Sequence, residues 1–321
     1  MVPMTEAHAG TMPRLDPAKF HDPFVTAKGE ARAQVALKSL ETLWFNTGTL
    51  CNLTCQNCYI ESSPKNDRLA YLTAAEVARY LDEIAVLGLS TQLIGFTGGE
   101  PFMNRDLIAM LGDVLARGHD AIVLTNAMKP MQHKKRALLA LRERYGNRLT
   151  IRVSLDHYGA AVHELERGKC SWRPTLDGLR WLAANGFNIN VASRYLSGES
   201  EAVLRQGFRR LFAEHAIPLD ADNPVALMIF PEMEPTVDVP EITTACWGIL
   251  HKSPDSVMCA TSRMVVKHKG AAEPSVIACT LLPYDKLWDL GPTLAGARGA
   301  VPLNHPHCAK FCVLGGAACS A

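Results

Sequence analysis

From Thr42 onward, short apolar runs alternate with amphipathic stretches, and the period of the pattern switches between two kinds of element. Leu43-Trp44-Phe45-Asn46 is an apolar run closed by a polar residue and reads as a buried strand. Thr73-Ala74-Ala75-Glu76 is a capping box, and Val77, Leu81, Ile84, Ala85 and Leu87 follow at helical spacing up to Gly88. Residues 92–97 read as the next strand. Leu107, Met110, Leu111, Val114 and Leu115 then mark a second helix that ends at Gly118. The rhythm continues with strands over 121–126, 150–155, 188–195 and 225–230, separated by helices over 132–145, 174–185 and 201–215. Six strands alternating with helices imply βα units around a parallel sheet.

The two ends of the chain break this pattern. Residues 1–40 contain Pro3, Pro13, Pro17 and Pro23 with little periodicity, so they read as a loosely ordered lead with one helix over 28–39. That lead either caps the core unit or is a tail. Beyond Pro235 the alternation stops and six cysteines follow. The organisation expected is therefore an extension over 1–40, an α/β unit over 41–235 and a small cysteine-rich unit over 236–321.

Composition narrows the class. At 321 residues, 48% hydrophobic and 20% charged, the chain can bury one large core, or a core with a smaller companion. Lys+Arg of 33 against Asp+Glu of 32 leave a net charge of +1, so no global field favours nucleic acid or an anionic membrane, and neither is expected as a partner. No apolar run is long enough to span a bilayer. Residues 1–10 lack the basic and apolar regions of a signal peptide, and cytoplasm is the expected compartment, where reduced thiols persist.

The candidate chemistry begins at Cys51-Asn52-Leu53-Thr54-Cys55-Gln56-Asn57-Cys58-Tyr59, a loop that follows the first strand. Three soft thiolates on one loop suit an iron-sulfur cube with three irons held and the fourth left open to an outside ligand. A structural zinc site with a fourth donor, such as His8 or His21, is the alternative. Phe96-Thr97-Gly98-Gly99-Glu100-Pro101 closes the second strand.

A C-x3-C-x2-C loop followed by Gly-Gly-Glu-Pro strongly resembles the radical S-adenosylmethionine (SAM) superfamily, over about residues 41–235. The resemblance implies an open (β/α)6 partial TIM barrel with a small cysteine-rich C-terminal extension. It also implies a [4Fe-4S] cluster on Cys51, Cys55 and Cys58 whose open iron chelates the amino and carboxylate groups of SAM. Reductive cleavage of the sulfonium would then give a 5′-deoxyadenosyl radical that abstracts hydrogen from a peptide or small-molecule substrate. The electron would come from a low-potential donor of flavodoxin or ferredoxin type. Gly98 and Gly99 let backbone approach the SAM methionine, and by resemblance Glu100 orients its ammonium. Ser154 and Asp156, at the end of the fourth strand, resemble the segment that reaches the SAM ribose. Arg194 offers a fork that matches the SAM carboxylate, or is an ordinary strand-end arginine. Asn126 reads as a weaker candidate or a turn residue, and His157 stands where many relatives have glycine. The family usually carries an aromatic residue just before the third cysteine, where this chain has Asn57.

The C-terminal cysteines resemble the Twitch and SPASM extensions, in which two cysteines flank a hairpin and others come from a later turn. Cys259 and Cys279 flank the predicted hairpin, and Cys308 and Cys312 follow. One auxiliary [4Fe-4S] cluster on these four is expected, with Cys319 able to replace one of them. A zinc knot using His305 or His307 is the alternative, and Cys170 reads as a lone loop thiol.

Overall fold

A computed structural model describes residues 13–195, 198–231 and 236–316. After a short strand β1 (Gln34–Val35), strand β2 (Thr42–Asn46) is buried at every position, as a parallel strand covered on both faces demands. Helix α1 (Ala74–Val86) starts at the Thr73 capping box, with Glu76 N to Thr73 Oγ1 at 3.2 Å and Thr73 N to Glu76 Oε2 at 2.9 Å. Then come β3 (Leu93–Thr97), α2 (Leu107–Ala116), β4 (Asp120–Thr125), α3 (Lys129–Gln132), α4 (Lys135–Tyr145) and β5 (Leu149–Ser154). They are followed by α5 (Ala160–Arg167), α6 (Trp172–Ala184), β6 (Asn188–Arg194), α7 (Glu201–Glu214) and β7 (Leu227–Phe230). The C-terminal part adds α8 (Cys246–Ile249), β8 (Ser262–Val266), β9 (Ser275–Ile277), β10 (Val301–Pro302) and a π-helical turn, Cys308–Leu314.

The main sheet has eight strands in the order β7-β6-β5-β4-β3-β2-β8-β9. Strands β2 to β7 are parallel neighbours in chain order, which is the open (β/α)6 arrangement expected from the alternation. β8 lies parallel to β2 on its other side, and β9 pairs antiparallel with β8. The C-terminal hairpin therefore continues the barrel sheet. One apolar core fills the space between the sheet and helices α1–α4, α6 and α7. A second joins Trp44 and Ile122 of the barrel to Met264, Ile277, Leu303 and Phe311 of the C-terminal part.

The helix expected over 28–39 is absent. A turn at Gly29 (φ +80°) reverses the chain, and residues 31–35 run extended against the C-terminal part. Ala33 N donates to Ile242 O at 2.8 Å, Leu303 N donates to Ala33 O at 2.9 Å, and β1 pairs antiparallel with β10. Arg32 is buried with Glu241 as its ion-pair partner. Tertiary pairing overrides a modest local helix pattern here, because Ala33 and Val35 gain a core on one face while Gln34 faces water. Among the described residues no helix is long and apolar enough to cross a membrane.

Candidate metal and cofactor site

The segment leaving β2 and the glycine pair leaving β3 are stitched together. Thr47 N donates to Thr97 O at 2.8 Å, Gly99 N to Gly48 O at 2.8 Å, and Glu100 N to Leu50 O at 3.1 Å. Gly98 adopts φ +138°, a conformation that L side chains rarely take. A Cβ on Gly99 would lie 2.2 Å from Leu50 O. The absence of side chains thus first serves contact between the glycine loop and the backbone that delivers Cys51.

Cys51, Cys55 and Cys58 line a cavity of about 180 Å³ together with Gly98, Gly99, Asn126, Ser154, Asp156 and Arg194. The cavity lies at the carboxyl ends of the strands, where parallel α/β folds gather ligand-binding groups. All three cysteines are free thiols. Burial pushes the Cys51 thiol up to about 12, with Glu100, Cys55 and Cys58 adding to the rise, and burial also raises Cys55. Such thiols stay protonated until a metal displaces the proton. Backbone amides already point at two of the sulfurs: Leu53 N to Cys51 Sγ at 3.4 Å and Ser62 N to Cys58 Sγ at 3.3 Å. Among the described residues no three Cys, His, Asp or Glu side chains converge on a point that a single ion could fill. Thiolates at separate corners of a four-iron cube need no such point. Three free thiols on one loop, amides aimed at sulfur and a cavity bordered by bare backbone fit the open cluster and SAM.

The remaining predicted residues are placed unevenly. Ser154 faces the cavity. Glu100 is 1% exposed and is not among the cavity's lining residues. Its carboxylate accepts from Thr125 Oγ1 at 2.9 Å, Asn126 N at 2.9 Å and Phe102 N at 3.1 Å, which ties the glycine loop to the end of β4. Asn126 lines the cavity and donates through Nδ2 to Asn52 Oδ1 at 3.0 Å, so it touches the cysteine loop directly. Asp156 and Arg194 meet each other at 3.3 Å, and Arg194 also binds Glu166. The Arg194 fork is therefore occupied by protein carboxylates in this structure. His157 accepts from Gly159 N at Nδ1 and pairs through Nε2 with Glu199 at 2.7 Å, and it is not among the cavity's lining residues.

Sequence reasoning missed Glu166 and the pairing role of Arg167. Both come from α5 and both are turned inward. Arg167 binds Asp156 through Nε at 2.6 Å and Nη2 at 3.0 Å. Burial would raise Asp156, yet Arg167 and Arg194 hold its carboxyl well below the usual carboxylate range. The signal was the helix register: His163, Glu166 and Arg167 stand at i, i+3 and i+4, and Glu166 is 4% exposed whereas Leu165 is 75% exposed. Arg152 of β5 also lines the cavity and was not singled out.

In the C-terminal part, Cys259 and Cys308 are buried, and Cys279 and Cys312 are half-buried. Burial pushes the Cys308 thiol well up, and Cys279, Cys312 and Cys259 contribute electrostatically, so the four predicted residues share one neighbourhood. Leu281 N donates to Cys279 Sγ at 3.4 Å. Arg263, buried beside them, donates to carbonyls, among them Cys259 O at 2.6 Å and Ala297 O at 3.0 Å. Cys170 lies exposed in the turn after α5, and Cys319 lies outside the described residues.

Comparison with known proteins agrees with this geometry. Residues 45–203 match the Radical SAM superfamily. This chain carries a radical SAM domain. Members of that superfamily are enzymes that use a [4Fe-4S] cluster and SAM. The antilisterial bacteriocin subtilosin biosynthesis protein AlbA of Bacillus subtilis is 30% identical over 143 residues, covering 44% of this chain and 30% of that protein. A GTP 3′,8-cyclase of Rhodococcus opacus is 30% identical over 184 residues, covering 54% of this chain and 50% of the cyclase. The radical SAM chain thus spans only 30% to 50% of the length of these curated relatives. In fold it is similar to Streptococcus suis SuiB bound to S-adenosylmethionine, with TM-score 0.56, 13% identity, and coverage of 78% of this chain and 62% of SuiB. It is also similar to anSMEcpe with bound AdoMet, with TM-score 0.57, 14% identity and coverage of 80% and 79%.

Proposed function

We propose that this chain cleaves SAM at a cluster held by Cys51, Cys55 and Cys58 and uses the product to abstract hydrogen from a peptide substrate. The observation that carries the reading is the direct stitching of the cysteine loop to Gly98–Glu100 at the mouth of a cavity. When bound, the cluster and SAM supply a one-electron cleavage of the sulfonium and a carbon-centred hydrogen abstractor. The protein's own residues orient and enclose. Gly99 and Asn126 border the cavity with backbone and amide, and Ser154 offers a hydroxyl from β5. Leu124, Phe230, Leu281 and Phe311 form an apolar wall that excludes water from a reactive intermediate. Cys259, Cys279, Cys308 and Cys312 hold an auxiliary [4Fe-4S] cluster that takes an electron from the substrate or binds it. A low-potential protein of flavodoxin or ferredoxin type supplies the first electron.

A peptide substrate is supported by two likenesses: AlbA is a bacteriocin biosynthesis protein, and SuiB, of related fold at TM-score 0.54, has been solved bound to its precursor peptide SuiA. The test is anaerobic reconstitution with iron, sulfide, SAM and dithionite, with 5′-deoxyadenosine as the readout. Wild-type protein should release it and Cys55→Ala should not. Release that rises with a candidate precursor peptide, and not with GTP, supports the substrate class; stimulation by GTP alone would favour a nucleotide substrate instead. No 5′-deoxyadenosine from iron-loaded wild type would overturn the reading.

A further inference from the structure

The cysteine loop is also held from a side that the glycine pair does not reach. Gln56 N donates to Glu166 O at 2.8 Å, Asn57 N to Glu166 Oε1 at 2.9 Å, and Asn57 Nδ2 to Glu166 Oε2 at 3.0 Å. Arg194 closes the arrangement, since Nη1 donates to Asn57 O at 3.1 Å and Nη2 binds Glu166. One residue of α5 therefore grips two consecutive residues of the loop by backbone and side chain, immediately before Cys58. The carboxylate that does this is 4% exposed, and its countercharge, Arg194, pairs in turn with Asp156, which Arg167 also holds.

A buried carboxylate is retained only where its lone pairs are taken by charged or amide donors. Here those donors are the metal-binding loop itself and a cavity-lining arginine. With one Nδ2 hydrogen held by Glu166, Asn57 keeps its amide oxygen and one N–H for anything that enters the cavity, whose wall it forms. We infer that Glu166 is a positioning residue for the cysteine loop: through Asn57 and Arg194 it sets where the Cys58 sulfur and the Asn57 carbonyl stand, and so governs cluster retention and the seating of SAM. This inference rests on the reading of Cys51, Cys55 and Cys58 as cluster ligands. Partners that orient metal ligands from outside the ligand set are worth roughly 10- to 100-fold in metal retention.

The experiment measures iron release from anaerobically prepared full-length protein to excess ferrous chelator, and the SAM-induced change in the spectrum of the reduced cluster. Glu166→Gln keeps the size and one acceptor but removes the charge, whereas Asn57→Ala removes the Nδ2 bond to Glu166 from the loop side and leaves the backbone bonds in place. Metal-free samples of each are melted in parallel. Each variant should lose SAM-responsive iron about tenfold faster than wild type, the double variant no faster than either single one, and the metal-free melting points should stay within about 2 °C. Wild-type release rates in both variants would overturn the clamp, as would losses that add in the double variant while metal-free stability falls in step. A wild-type protein without iron would overturn the cluster reading itself; an iron-bearing wild type with unaffected variants overturns only the role of Glu166.

Discussion

Arg167 grips Asp156 through two bonds, Nε to Oδ2 at 2.6 Å and Nη2 to Oδ1 at 3.0 Å, while Arg194 holds the same carboxylate from β6 at 3.3 Å. All of these groups are buried or nearly so, and removing one member of a buried ion pair strands the other. Arg167→Met should lower the stability of the metal-free protein by about 3 to 5 kcal/mol, read by urea denaturation near neutral pH. The pH dependence has a definite sign. Asp156 titrates below its ordinary value when folded, so its contribution is complete above the ordinary carboxylate range and is lost progressively as pH falls below that range through the depressed folded value. The acid limb should therefore be shallower in the variant than in wild type.

Gly99 has Leu50 O where a side chain would begin, at 2.2 Å from an ideal Cβ. Gly99→Ala must push the glycine loop and the cysteine loop apart. A loss of about 1 to 3 kcal/mol is expected, as for other overpacked sites, together with reduced iron per chain after reconstitution. Gly248→Ala is the control, because nothing lies within 4 Å of the added carbon. Equal iron loading in the two variants would contradict the account of Gly99.

Glu100 gives the opposite pH signature to Asp156. Burial pushes its carboxyl up to about 7, against the amides of Asn126 and Phe102 and the Thr125 hydroxyl. Between its ordinary value of 4.5 and about 7, the folded chain keeps a proton that the unfolded chain has released. Stability should thus fall as pH rises through that window, by up to about 3 kcal/mol. Glu100→Gln carries no proton to lose and should flatten this slope in denaturation of the metal-free protein. An unchanged slope would assign the dependence to other groups.

Glu241 fastens the N-terminal segment by pairing with buried Arg32 and accepting from Phe20 N at 2.8 Å and Ala27 N at 2.7 Å. Glu241→Ala leaves the Arg32 guanidinium without its carboxylate inside the second core. Expected are a stability loss of about 3 to 5 kcal/mol and faster proteolysis before β1. Limited trypsin digestion that matches wild type would contradict this.

The barrel was legible because each of its strands is an apolar run and each main helix has an apolar stripe, and both periods survive in a single sequence. The cysteine loop and glycine pair were legible because their chemistry needs particular residue types at short spacing. Glu166 was not. In sequence, Glu164-Leu165-Glu166-Arg167 reads as a solvated charge run, and only the helix register turns Glu166 inward and Leu165 outward. Arg194 was placed at the right strand end, but its partners come from the turn after β5 and from α5, which no local pattern links. The N-terminal strap was misread for the same reason: two residues of β1 pair with β10 more than 260 positions away.

The central claim is that three thiolates leave one iron open to SAM beside Gly98 and Gly99. Its most direct measurement is the electron paramagnetic resonance spectrum of anaerobically reduced protein, recorded with and without SAM. A cluster signal that changes on SAM addition, and is absent in a Cys51→Ala, Cys55→Ala, Cys58→Ala protein, is the expected result. A spectrum with no SAM-responsive component, or a SAM-responsive component that survives the triple substitution, would contradict the account, whereas a SAM-indifferent signal in both proteins belongs to the auxiliary cluster.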